Sequence, residues 1–201
     1  KMKTQPTSMR HKQAAAAVGQ CSIMFLYDKF FGDYDKTIGQ ILLNAEDIEQ
    51  EEKKDNLINT FDALLEMGAI PNENDSVSYT EIESNDRLFG DNDMLSSVVA
   101  VLCRASKLVI FSDIDGFYNC DPRLHPDAKL IEEIDKIDDE VYKLAGGAGS
   151  RRGTGGMRTK LQAAALATSQ GIDTIITNGK NPAALYDIIE GVPVGTKFKA
   201  Q

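Results

Sequence analysis

Apolar and polar positions change rhythm several times along this chain, and each change marks an element. After Pro6, Thr7 is placed to cap a helix through MRHKQAAAAVGQCSIMFLYDKF that runs towards Gly32. TIGQILL, residues 37–43, reads as a short buried strand. Asn44 or Asp47 then starts one long charged helix through EEKKDNLINTFDALLEMG, with Gly68 as its stop. A strand and loop follow in AIPNENDSVSYTEI. DNDMLSSVVAVLCRAS, residues 91–106, reads as a helix whose acidic first turn suits the helix dipole. KLVIFSD, residues 107–113, is the clearest buried strand, and the turn-rich IDGFYNCDPRLHPDA leaves it.

The second half repeats the alternation. KLIEEI reads as a strand and DDEVYKLAGG as a helix. TKLQAAALATSQG is an alanine-rich helix beginning near Thr159 and stopped by Gly171. IDTIIT is a strand, NG a turn and NPAALYDIIEG a last helix. Strands alternating with helices predict an α/β fold with a mainly parallel sheet. No internal repeat, low-complexity tract or linker interrupts the pattern, so one domain over residues 1–201 is the simplest expectation.

Composition narrows the function classes. A chain of 201 residues with 42% hydrophobic and 26% charged content can bury a sizeable core. No run approaches the roughly eighteen apolar residues that a membrane span requires. The net charge of −9 repels nucleic acid phosphates and anionic lipid, which argues against either partner. An anionic substrate must therefore be held by local cations or through a metal. Three widely spaced cysteines, Cys21, Cys103 and Cys120, form neither a disulfide framework nor a zinc pattern, and point to reduced thiols in a cytoplasmic protein. His11 and His125 lie far apart and near no cysteine, a poor basis for a metal site or a catalytic triad. The basic start lacks the apolar stretch of a signal peptide. Because the first residue is lysine, the natural N-terminus is expected to lie upstream.

The candidate chemistry sits in three loop segments, where strands of such a fold end, and in a fourth, FGDND, at a helix start. GSRRGTGGMRTK, residues 149–160, gathers four glycines and four cations. It fits neither common phosphate template. A P-loop needs Gly-Lys-Ser/Thr, whereas Lys160 follows Thr159, and the dinucleotide fingerprint counted from Gly153 needs glycine where Arg158 stands. Taken alone, the stretch reads equally well as an ordinary surface turn. Its run into a helix nevertheless offers backbone N–H groups and a favourable dipole to an anion, with Lys160 in the first turn as a mobile point charge. NENDS (72–76) and FGDND (89–93) supply Asn72, Glu73, Asn74, Asp75, Asp91, Asn92 and Asp93. Turn and cap chemistry is the bland reading of each. Together they can hold an ammonium group or a phosphate-bridging magnesium. SDIDG (112–116) fails as a calcium loop, since Gly116 stands at position four and Leu124 where the bidentate glutamate belongs. Ser112 and Asp113 read better as the end of a strand beside a nucleotide, and Phe117 and Tyr118 as packing or base-stacking residues.

PNENDSV, FGDNDMLSSVVA, FSDIDGFYNCDPRLHPDAKLIEEI and GTGGMRTKLQAA, in this order and spacing, closely resemble the glutamate 5-kinases of the amino acid kinase superfamily. The resemblance runs from PTSMRHKQAAAAVGQ to VGTKF, nearly the whole chain. It implies a three-layer α/β/α sandwich around a mainly parallel sheet. It also implies ATP-dependent phosphorylation of the side-chain carboxylate of L-glutamate to L-glutamyl 5-phosphate, the first step of proline biosynthesis. On that pattern Asp75 and Asn92 bind glutamate, and Asn72 and Asn74 add acceptors for its ammonium group. Asp93 organises the catalytic lysines, and Lys160 offsets charge on the moving phosphoryl group. Ser112, Asp113 and the run Thr154, Gly155, Gly156, Met157, Arg158, Thr159 and Lys160 contact ATP. Magnesium bridges the nucleotide phosphates, and no residue is assigned to a metal site of its own. Feedback inhibition by proline and assembly as a dimer or tetramer are further family traits.

Three departures stand out. The family's initial Lys-x-Gly-Ser strand, with a second catalytic lysine, and its Ser-Ser-Gly-Ala loop are both absent from this chain and expected upstream of Lys1. The family's Ile-Pro-Ile-Val-Asn-Glu-Asn-Asp is here AIPNEND, two residues fewer, which would shorten a strand by about 7 Å without changing which side chains face in. An omission is the expected explanation. Many members continue into a PUA domain, whereas this chain stops at GTKFKAQ, as a short form would. Two other readings remain open on sequence: another amino acid kinase relative, such as an acetylglutamate kinase, aspartokinase or uridylate kinase, and a non-catalytic amino acid sensor of the same fold.

Overall fold

The computed structural model describes residues 7–75, 92–145 and 156–201. They fall into two compact units, Lys1–Phe89 and Gly90–Gln201. In the first unit the helix α1, Met9–Gly32, is built on four consecutive alanines, the strongest helix formers. Its N-cap is Ser8, not Thr7: the Ser8 hydroxyl accepts from the His11 N–H at 3.4 Å and also lies 2.7 Å from the His11 ring nitrogen Nδ1. Strand β1, Ile38–Leu43, pairs in parallel with β2, Ile70–Asp75, in the register Ile38 to Ile70 through Leu43 to Asp75.

The crossover between these strands is two helices where the sequence suggested one. Asn44 and Asp47 exchange side-chain bonds with each other's backbone N–H, at 2.9 and 3.0 Å, and this reciprocal cap opens the short α2, Ala45–Glu49. The chain turns extended at Gln50 before α3, Glu51–Glu66, whose first turn carries Glu51 and Glu52. A competing cap and a second acidic start thus split what charge pattern alone joined. Gly68 ends the segment with φ 74°, a conformation that glycine takes without strain. Ile41, Leu43, Phe61 and Ala69 form the buried apolar set of this unit. β1 passes so close to α3 that a Cβ on Gly39 would lie 2.7 Å from a Leu64 methyl.

The second unit contains α4, Asn92–Leu102; β3, Lys107–Ser112; β4, Glu133–Ile134; α5, Asp139–Ala145; α6, Met157–Ser169; β5, Asp173–Asn178; α7, Ala184–Glu190; and β6, Thr196–Phe198. Its sheet has the order β3-β5-β6-β4. β3 pairs with β5 and β4 with β6 in parallel, while β5 and β6 run antiparallel. The α/β class and the predominance of parallel pairing agree with the sequence pattern. β6 was missed, because three residues between a turn and the last few positions carry no periodicity. KLIEEI contributes a two-residue strand plus an isolated bridge between Tyr118 and Leu130. α6 begins at Met157, two residues before the expected Thr159, which brings Met157 and Arg158 into its first turn.

The core of this unit explains why α6 is rich in alanine. Leu161, Ala163, Ala164 and Ala167 are fully buried with Leu108, Ile110, Ile172, Ile176 and Phe198. Small side chains let the helix axis approach the sheet, and Leu161 fills the space left over. On β5 the four residues Thr174 to Thr177 are all buried, as expected of a strand flanked on both sides. Gly171 (φ 78°) and Gly191 (φ 82°) terminate α6 and α7. A salt-bridged edge closes the sheet: Lys199 reaches Glu133 at 2.6 Å and Asp135 at 2.7 Å, and Lys197 reaches Asp173 at 2.8 Å.

Candidate active site

A largely buried polar constellation of the second unit joins the starts of two helices. Asp93 lies in the first turn of α4 and Lys160 in the first turn of α6. The Lys160 ammonium donates to Asp93 Oδ2 at 2.7 Å, and both side chains are only 14% exposed. The Thr159 hydroxyl lies 3.4 Å from the same carboxylate oxygen and donates to the Gly156 carbonyl at 2.8 Å. An ion pair so little exposed to water keeps its geometry far better than one on the surface. Asp93 therefore fixes where the Lys160 charge stands.

What surrounds that charge suits an anion. Gly156 is the N-cap of α6 and offers no side chain to cap it. Among the described residues, a Cβ there would meet nothing within 4 Å. The first N–H groups of a helix have no intrahelical acceptor, and together with the helix dipole they favour negative charge. Arg158 adds a cation close enough to Tyr142 to work against the rise in that phenol's pKa caused by burial.

A second polar group stands at the carboxyl ends of β3 and β5. Ser112 ends β3, its hydroxyl 3.3 Å from Asp113 Oδ1, and its carbonyl accepts from the Gly179 N–H at 2.8 Å. Asp113 is ion-paired with Arg123 at 3.1 Å, an exposed contact that rearranges at little cost. Asp115 accepts from the Asn178 amide at 2.7 Å and from the Tyr118 hydroxyl at 3.2 Å. Burial raises the Tyr118 phenol pKa, and the Asp115 charge and hydrogen bond add to it. The structure thus ties Tyr118 to the strand ends rather than leaving it as packing alone.

Sequence reasoning located Asp93, Asn92, Ser112, Asp113, Gly156, Met157, Arg158, Thr159 and Lys160, all on these helix starts and strand ends. Asn92 is the exposed first residue of α4. Thr154 and Gly155 lie outside the described residues. Asn72, Asn74 and Asp75 belong to β2, opposite Gln40, Leu42 and Leu43 on β1. The side chains of Asn74 and Asp75 are outside the described part, and Asn72 is half-buried. Glu73, also half-buried, has its carboxyl pKa raised by burial, offset in part by a hydrogen bond to its own backbone. Arg123, Asp115 and Asn178 were missed as members of the group. The only trace of Asn178 in sequence was an Asn-Gly turn, and that of Asp115 a failed calcium pattern.

A model of the amino acid kinase family matches residues 2–178. The chain is 52% identical over 203 residues to a glutamate 5-kinase from Clostridium perfringens, covering all of this chain and 75% of that protein. It is 50% identical over 198 residues to a glutamate 5-kinase from Clostridium tetani, covering 98% and 72%. Its fold is similar to that of a T. acidophilum isopentenyl phosphate kinase (TM-score 0.62, 16% identity, 98% of this chain and 75% of that one). A carbamate kinase from Giardia lamblia bound to AMP-PNP is similar too (TM-score 0.59, 16% identity, 93% and 75%). At such identities the two structures speak for the fold.

Proposed function

The chain belongs to the amino acid kinase family, among the glutamate 5-kinases, and from that premise we propose how its residues move a phosphoryl group. The reaction transfers the γ-phosphoryl group of ATP to the side-chain carboxylate of L-glutamate, giving ADP and L-glutamyl 5-phosphate, which commits glutamate to proline synthesis. The observation that carries our assignment of roles is the 2.7 Å pair of Lys160 and Asp93 at the start of α6.

Phosphoryl transfer asks the protein for position and charge more than for covalent chemistry. The α6 N-terminus, capped by the side-chain-free Gly156, receives phosphate oxygens on its first N–H groups. Lys160, held by Asp93, offsets the charge that spreads over the moving group, and Thr159 supports the same carboxylate. Ser112 and Asp113 hold the nucleotide, with Thr154 and Gly155 of the glycine loop. Asp75, Asn92, Asn72 and Asn74 serve the glutamate ammonium and carboxylate. The attacking carboxylate is already ionised at neutral pH, so the reaction needs no general base. Among the described residues no three acidic, histidine or cysteine side chains gather around a metal position. Magnesium is read as part of the MgATP substrate, because the phosphates of ATP themselves carry it.

We extend the reading to proline as a feedback inhibitor, to self-association as a dimer or tetramer, and to a cytoplasmic location. No described helix is long and apolar enough to cross a membrane. The test of the reaction incubates the protein with MgATP, L-glutamate and hydroxylamine, following ADP and inorganic phosphate by 31P NMR and the phosphorus-free glutamyl hydroxamate by its iron(III) colour. ADP and glutamyl hydroxamate must appear together. ATP loss without hydroxamate would reduce the activity to hydrolysis and remove the acyl phosphate.

A further inference from the structure

The excursion that leaves β3 and carries Asp113, Asp115 and Tyr118 is fastened underneath by a residue 79 positions beyond it. Thr196, on the last strand, is fully buried. Its hydroxyl oxygen accepts from the Phe117 N–H at 2.7 Å. Its single proton has two carbonyls in range, Ile131 at 2.6 Å and Phe117 at 3.4 Å, and the shorter contact takes it. The Ile131 N–H in turn donates to the Phe117 carbonyl at 2.8 Å. One side chain thus closes a three-way knot among β6, the β3 excursion and the segment leading to β4.

Close packing shows that the knot admits little slack. A Cβ on Gly116 would lie 2.6 Å from the Thr196 hydroxyl and 2.9 Å from its backbone nitrogen, so the chain rests directly on Thr196. The Phe117 ring is buried edge-on to Phe198, two residues along the same strand, with centroids 6.3 Å apart. Asp115 and Tyr118 flank Gly116 and Phe117 on either side and bond to each other, and Asp115 also accepts from the Asn178 amide.

We propose that Thr196 is a positioning residue for the nucleotide, fixing the Ser112–Tyr118 excursion so that its polar groups meet ATP in one arrangement. The proposal rests on the reading of Ser112 and Asp113 as nucleotide contacts. Thr196 never touches the ligand; it acts through the Phe117 N–H. If its hydroxyl is lost, the buried Phe117 N–H and the partly buried Ile131 carbonyl lose their partner, and the excursion relaxes towards water to satisfy them.

Thr196→Val keeps the shape and removes the hydroxyl, whereas Thr196→Ser keeps the hydroxyl and removes a methyl. The expected result for Thr196→Val is a roughly tenfold rise in KM for ATP and in Kd for ADP by calorimetry, with KM for L-glutamate within about twofold and kcat falling less than KM rises. Thr196→Ser restores nucleotide affinity to within about twofold of the parent. A merely structural threonine would lower the melting temperature and leave both nucleotide constants in place, and that result overturns the proposal. Should Thr196→Val not be recovered folded, Thr196→Cys, a weak donor and acceptor of similar size, is held to the same criterion. The calorimetric arm needs no turnover. If the parent binds ADP and the valine variant binds it as tightly, Thr196 loses its role while the kinase reading stands; if the parent binds no ADP, both fall.

Discussion

Replacing Lys160 by methionine separates what the Asp93 pair does for the fold from what it does for the reaction. At 2.7 Å and an effective dielectric of about 20, the two charges attract by about 6 kcal/mol. Taking both out of water cancels most of this, and a charge-assisted hydrogen bond retains roughly 1.5–3 kcal/mol. Lys160→Met leaves the mostly buried Asp93 carboxylate without its ammonium, so stability falls by about 2 kcal/mol, or roughly 4–8 °C in melting temperature for a chain of this size. Catalysis falls further, because removing one preorganised charge at the transition state costs about 10²–10³ in kcat. Asp93→Asn has a similar cost in stability, and the double variant is less destabilised than the two single losses combined, by about 1.5–3 kcal/mol, because the Lys160–Asp93 bond is lost only once. Thermal melts and ADP release with saturating L-glutamate measure both effects. Additive stability losses, or a Lys160→Met variant with kcat within about tenfold of the parent, would refute the coupling on which the assigned roles depend.

Other outcomes follow from particular contacts. Burial would raise the Asp173 carboxyl, but the bonds from Lys197 and the Ala200 N–H, aided by the Lys107 charge, outweigh it and hold its pKa below the ordinary 3.8. A depressed carboxylate stabilises above its unfolded pKa, so Asp173→Asn costs about 0.5–1 kcal/mol at pH 7, a loss that melts should show shrinking as pH falls through the acid range below 4. Glu73 has the opposite sign. Its raised carboxyl favours the protonated fold, so Glu73→Gln gains about 1 kcal/mol at pH 8, and the gain declines as acid protonates the parent towards its ordinary 4.5. Gly195 adopts φ 66°, and a Cβ there would collide with the Ile176 carbonyl oxygen. Gly195→Ala should therefore lose at least about 2 kcal/mol in denaturant melts.

The elements that sequence predicted well are those whose own periodicity and caps decide them. KLVIFSD and IDTIIT are strands in any context, and the alanine run of α1 can hardly be anything but helix. The break at Gln50 was not legible, because it depends on a reciprocal cap between Asn44 and Asp47 that a charge pattern does not reveal. β6 was hidden for a different reason: its three residues are strand only because Thr196 and Phe198 have partners far away in the chain. The same division holds at the site. Asp93 and Lys160 stood out through their motifs, and the structure brings them into contact. Asn178 carries no motif beyond a turn, and Asp115 and Arg123 lie in quoted motifs that gave them no role; all three join the site through side-chain contacts made after the strands align.

The central claim is that this constellation directs ATP's phosphoryl group to the side-chain carboxylate of L-glutamate. Its most direct test compares kcat/KM for ADP release, with hydroxylamine trapping, across L-glutamate, L-aspartate, N-acetylglutamate and UMP. The account predicts turnover and trapped acyl phosphate with L-glutamate, and at least about 10²-fold less with each of the others. Equal or better use of another acceptor would contradict it.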